Sequence, residues 1–157
     1  MKNRLHTRSA LAGAGIAVIA FVASGATLQD VATSPEVSEE ETTMQVHYLE
    51  VVTSDVDATC GALEKLHGVS FSEPEANLGN ARTAALAAGG RIGVRAPMHD
   101  AEESVVRPYL LVNDIESAVQ AAEAAGGVVA VPPMEIPEQG KIALYFQGDN
   151  QYGLWQL

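Results

Sequence analysis

The chain is poor in cations, cysteine and aromatic side chains, and each shortage removes a class of explanation. Only 9 Lys+Arg stand against 20 Asp+Glu, a formal net charge of −11. Binding to nucleic acid needs a basic footprint that displaces counterions from phosphates, so no nucleic-acid partner is expected. Acidity of this size suits a soluble protein. The single cysteine, Cys60, rules out an intramolecular disulfide and leaves no redox mark of the compartment. It falls on the apolar face of a predicted helix and reads as a small buried hydrophobe. Three chemistry-bearing motifs are also missing: the Gly-x-x-x-x-Gly-Lys phosphate loop, the Gly-x-Ser-x-Gly elbow and Cys-x-x-Cys.

The one long uncharged run is N-terminal. Lys2, Arg4 and Arg8 precede residues 10–23, rich in Ala, Val, Ile and Gly, and Ser24-Gly25-Ala26 follows with small side chains. That order predicts that residues 1–26 are a signal peptide or, if uncleaved, an N-terminal membrane anchor. The run is shorter than the ~20 residues of a membrane-spanning helix unless it extends to Leu28. Removing residues 1–26 leaves 6 Lys+Arg against 20 Asp+Glu, a formal charge of −14. The expected location is therefore exported: periplasmic, secreted or membrane-anchored. Translation starting at Met44 is the alternative and would leave the protein cytoplasmic. Residues 27–43, with Ser34-Pro35 and Glu39-Glu40-Glu41 and no apolar period, read as an acidic disordered linker.

Residues 44–157 read as one domain built from two similar halves. Asp55, Gly68 and Pro74 recur as Asp114, Gly127 and Pro133, and Val52, Gly93 and Val94 recur as Val112, Gly153 and Leu154. A unit present only twice is not a solenoid. Module one (45–97) predicts a strand at 46–52, a helix capped by Asp55 or Asp57 with the stripe Val56, Cys60, Leu63 and Leu66, and an end at Gly68. Strands are predicted at 69–71, 82–88 and 91–95, with Gly89-Gly90 as a hairpin turn. Module two (104–157) restarts the pattern: a strand at 108–112, a helix capped by Asp114, a strand at 128–131 stopped by Pro132-Pro133, and a hairpin of 142–146 with 153–157. Each half thus reads strand, helix, three strands.

That order, with Val46-His47-Tyr48-Leu49-Glu50-Val51, Tyr109-Leu110-Leu111-Val112-Asn113-Asp114, Ala125-Gly126-Gly127, Pro137 before Gly140, and the ending Tyr152-Gly153-Leu154-Trp155-Gln156, resembles the vicinal oxygen chelate superfamily. This is the glyoxalase, bleomycin-resistance and extradiol-dioxygenase group. The resemblance covers residues 45–157. It implies an α+β fold of two paired βαβββ modules whose curled mixed sheet forms a cup. It also implies that metal-using members hold a divalent ion on ligands from the first and fourth strands of each module. Carried onto this chain, those positions are His47, Gly93, Arg107 and Gly153. Glycine offers no donor and a protonated arginine cannot ligate, so no cofactor is expected and a divalent metal is disfavoured.

Strand alternation sets the expected cup. If His47 faces it, so does Leu49, while Tyr48 and Glu50 face away. Arg107 brings Tyr109, Gly93 brings Arg91 and Arg95, and Gly153 brings Trp155. The expected ligand-binding residues are therefore His47, Leu49, Arg95, Arg107, Tyr109 and Trp155. The arginines either hold an oxyanion or pair with local Asp and Glu. The leading functional reading is a protein that binds a small organic molecule in the cup, an aromatic or anionic one in particular. Two alternatives stay open. One is an enzyme of lyase, isomerase or dioxygenase type, metal-dependent or with His47 as base and Arg107 steadying an oxyanion. The other is a homodimeric interaction module whose cup is filled by its own side chains.

Overall fold

The computed structural model describes residues 43–157. The expected export segment, and all but the last residue of the expected linker, lie outside them. Among the described residues no helix is long and apolar enough to cross a membrane.

The first half supplies β1 (Val46–Val52), α1 (Val56–His67), β2 (Arg82–Ala85) and β3 (Arg91–Arg95). The second supplies β4 (Val105–Leu111), α2 (Ile115–Ala124), β5 (Val128–Ile136), β6 (Gly140–Gln147) and β7 (Asn150–Gln156). All seven strands join in one mixed sheet, in the order β2-β3-β1-β4-β7-β6-β5. In each half the first strand lies parallel to the last, β1 beside β3 and β4 beside β7. The two halves meet through β1 and β4, which pair antiparallel. The centre of the sheet is therefore also the seam between the halves.

Local chemistry accounts for the helix ends. Asp55 caps α1 by accepting from the Ala58 amide at 3.0 Å, and Asp114 caps α2 by accepting from Ser117 at 2.7 Å. Gly68 takes the left-handed conformation that closes α1, at φ 68°. The α1 stripe is narrower than its spacing predicts: Cys60 is buried, but Leu66 is 75% exposed.

The strand expected at 82–88 stops at Ala85, before a 3-10 turn at Ala87–Gly89, and three further expectations fail at strands. Residues 69–71 form no strand. The segment is held instead by Phe71 donating to Glu64, by Ser72 donating to the Thr83 carbonyl, and by an isolated bridge between Glu75 and Ala81. The first half thus contributes three strands where the resemblance implies four. Second, β5 does not stop at Pro132-Pro133 but runs through to Ile136. It is an edge strand, where a missing N–H costs no ladder bond, and its register to β6 slips between Val129 and Val131 and again between Val131 and Met134. Third, β4 begins at Val105, three residues before the expected start. Pro108 sits within it, and the ladder to β7 starts just past it, at Tyr109.

The sheet buries apolar side chains on both faces. Ile115 of α2 packs on Ala143 and Leu154 on one face. On the other, Tyr48, Tyr109, Ile142 and Trp155 pack with Leu78 and Ala81. The second face curls into the cup.

Candidate ligand-binding site

The cup has a volume of about 680 Å³. One wall is apolar and comes from β5 and β6: Val131, Met134, Ile136, Ile142, Leu144 and Phe146. The floor is formed by Tyr48 and Glu50 of β1, Arg95 of β3, Arg107 and Tyr109 of β4, and Trp155 of β7. The loop joining the halves, with Met98 and Glu102, forms part of the lip.

Of the residues expected to line the cup, Arg95, Arg107, Tyr109 and Trp155 do so. His47 and Leu49 do not, and the reason is a β-bulge. Val46 is opposite Leu110 and Tyr48 is opposite Tyr109, so two steps on β1 match one on β4 and His47 is the extra residue. The slip turns Tyr48 and Glu50 inward and Leu49 to the other face. His47 lies in a shallower depression with Phe71, Thr83 and Arg91, its ring tilted against Trp155 at 5.3 Å between centroids. Burial, and then the Arg91 charge, hold its imidazole below the usual pKa. His47 is thus not placed to act as a base in the cup. Arg91, expected on the cup face, reaches Glu75 and Gln139, with its guanidinium 5.8 Å from the Tyr48 ring.

The polar floor is a buried chain of charges. Glu50 receives Arg95 Nε at 2.6 Å on one oxygen, and Arg107 Nη1 and the Tyr109 hydroxyl on the other. Arg95 also grips Glu102 in a fork, at 2.8 and 2.6 Å. Arg107 turns its remaining edge to Gln151 Oε1, at 3.1 and 2.5 Å. Two carboxylates thus meet two guanidiniums. Burial opposes the Arg95 charge, but the hydrogen bonds and charges of Glu102 and Glu50 outweigh it and raise its pKa. The Arg95 bond pulls Glu102 down to about 2, helped by the Met98 amide. Sequence reasoning placed Glu50 on the wrong face, read Glu102 as part of a solvated acidic loop and did not single out Gln151. Glu50 carried the usable signal, as the one acid inside a strand that is otherwise apolar from Tyr48 to Val52.

Three rings complete the floor. Tyr48, Tyr109 and Trp155 lie 5.3 to 5.7 Å apart, centroid to centroid, in tilted or edge-on pairs. Burial, and then the Glu50 charge, raise both phenol pKa values, so both remain hydroxyl donors. The Tyr48 hydroxyl is buried without a hydrogen-bond partner. Each tyrosine crosses a glycine of the neighbouring strand. A Cβ at Gly93 would fall inside Tyr48, and one at Gly153 inside the Tyr109 ring.

The four positions that would carry a divalent ion do not fit one. Gly93 and Gly153 have no donor and their space holds phenol rings, Arg107 is cationic and bound to Glu50, and His47 is outside the cup. Among the described residues no group of three or more His, Cys, Asp or Glu is arranged to hold a metal.

The chain has the vicinal oxygen chelate fold, an α+β architecture with a curled mixed sheet. Solved structures resemble it across the domain. A hypothetical protein from Bacillus halodurans C-125 matches with a TM-score of 0.60 and 9% identity, over 74% of this chain and 96% of that one. Methylmalonyl-CoA epimerase from Mycobacterium tuberculosis matches at 0.55 and 12%, over 69% and 85%. A variant of the Streptomyces coelicolor epimerase in complex with 2-nitronate-propionyl-CoA matches at 0.52 and 16%, over 71% and 95%. No protein-family model matches the sequence, and no curated protein does.

Proposed function

We propose that this chain is an exported protein that binds a small organic molecule in the cup of its vicinal-oxygen-chelate domain, without a divalent metal. Residues 1–26 direct export or anchor the chain, 27–43 form a linker, and 44–157 bind the ligand. The observation that carries this reading is the cup itself: about 680 Å³, with an apolar wall facing a charge-balanced polar floor. Ligand pockets run from about 300 to 1,000 Å³ and combine apolar lining with a few polar groups. A cup filled by its own side chains would fall well below that range.

The same geometry disfavours catalysis with His47 as base and Arg107 steadying an oxyanion. The histidine that the enzyme reading needs lies outside the cup. Of the carboxylates lining the cup, Glu50 has both oxygens engaged by guanidiniums and Glu102 is forked onto Arg95. That some structures of like fold are epimerases holding CoA esters is compatible with a cup that takes organic ligands.

The test is equilibrium binding of phenylnaphthylamine, a neutral aromatic dye, to the full chain in EDTA. The expected result is saturable binding at one site, with the same affinity after adding Mn, Ni or Zn, and recovery of the dye unchanged. A strict requirement for a metal, or conversion of the dye, would overturn the reading.

A further inference from the structure

We infer that the Nε/Nη2 edge of Arg107 is the seat for an oxyanion carried by the cup's ligand, occupied meanwhile by the side chain of Gln151. The inference rests on the binding reading and adds to it a ligand class: an organic oxyanion on an aromatic or aliphatic body.

The two floor arginines are not equally satisfied. Arg95 is spent: its Nε donates to Glu50, both terminal nitrogens donate to Glu102, and Nη1 also reaches the Ala96 carbonyl at 3.1 Å. Arg107 has only a share of Glu50, which Arg95 also uses. Its other edge, the Nε–H and Nη2–H that point the same way, meets a single neutral atom, Gln151 Oε1. That edge matches the two oxygens of a carboxylate, sulfonate or phosphate, and charge-assisted pairs of this kind are about twice as strong as neutral ones. One amide oxygen spanning both donors is a weak substitute.

Gln151 is suited to give way. It stands near the start of β7, half-buried on the cup, and carries no charge. Withdrawing it strands no buried ion, whereas withdrawing Glu50 or Glu102 would. The carboxylates near the seat are already committed: Glu50 to both arginines and Glu102 to Arg95. Glu103, at the lip of the cup, is exposed to solvent, which screens its charge. The apolar wall is at hand for the body that carries the anion.

Two dyes that differ by one sulfonate isolate the seat: phenylnaphthylamine, and the anilinonaphthalenesulfonate that adds the anion to the same rings. Affinities are measured on the full chain by fluorescence titration. The sulfonate dye is expected to bind about tenfold tighter or more, as a charge-assisted fork would give. Gln151→Glu, which places a carboxylate of the chain's own on the fork, should bring the ratio of affinities down to about one or below. Gln151→Ala, which vacates the fork, should keep the preference. Equal affinity for both dyes in the unaltered chain, or a preference undiminished in Gln151→Glu, would overturn the seat while the neutral dye's binding left the cup reading standing. If neither dye bound, the cup reading would fail and the seat with it.

Discussion

The ring of Tyr109 lies against Gly153 on the neighbouring strand, in the space that any side chain at that position would occupy. Tyr48 reaches diagonally from β1 to β3 and lays its hydroxyl end against Gly93. The glycines are therefore needed for close approach rather than for turning the chain. They make room for two phenol rings at the bottom of the cup, where the resemblance would place metal-binding carboxylates. Gly153→Ala is expected to cost about 1–3 kcal/mol through overpacking. In a Tyr109→Ala background the penalty should largely disappear, as a double-mutant cycle by urea unfolding would reveal. An undiminished penalty would mean that the glycine serves the backbone and not the ring.

Glu50 joins the two halves through charge, since it accepts from Arg95 of the first half and Arg107 of the second. Neutralising it leaves two buried guanidiniums undercompensated. Glu50→Gln should lower stability by about 3–5 kcal/mol, the range for breaking a buried pair from one side. Glu116→Gln, which breaks only the exposed pair with Lys141, should leave the unfolding midpoint nearly unmoved.

Acid should release the intermodule loop at Glu102. Its carboxyl is held at about 2 in the folded chain against an ordinary 4.5. Because the folded value is the lower one, the unfolded chain takes up the proton first as pH falls. The stabilisation is complete above about 4.5 and is lost as pH drops through about 2. The stability gap between the unaltered chain and Glu102→Gln should therefore narrow steadily below pH 5. A gap that is constant down to pH 2 would show that Glu102 acts by packing alone.

His47 lies outside the cup, with its ring against that of Trp155. His47→Ala should change the affinity for phenylnaphthylamine by no more than about twofold. A loss of tenfold, about 1.4 kcal/mol, would place the imidazole against the ligand.

Much of this architecture can be read from punctuation. Asp55 and Asp114 mark the helix starts and Gly68 a helix end because capping is local chemistry, decided within four residues. Arg107, Tyr109 and Trp155 were legible as cup residues because β4 and β7 alternate without interruption. The β1 side of the site was not. One extra residue at His47 inverts which side chains face inward, and a bulge depends on how β1 pairs with a strand some sixty residues away. The missing strand at 69–71 and the passage of β5 through two prolines are likewise properties of sheet edges, where a partner's absence decides the outcome. Glu102 reads from sequence as part of a solvated acidic loop, because its importance comes from a buried arginine met only in the folded chain.

The central claim is that the ligand enters this cup, and the single tryptophan of the chain stands in its floor. Titrating phenylnaphthylamine while exciting Trp155 tests the claim most directly, because the dye accepts tryptophan emission. Trp155 emission should fall in step with dye binding and saturate at one dye per chain. Dye binding that leaves Trp155 emission unchanged would place the ligand elsewhere and contradict the account.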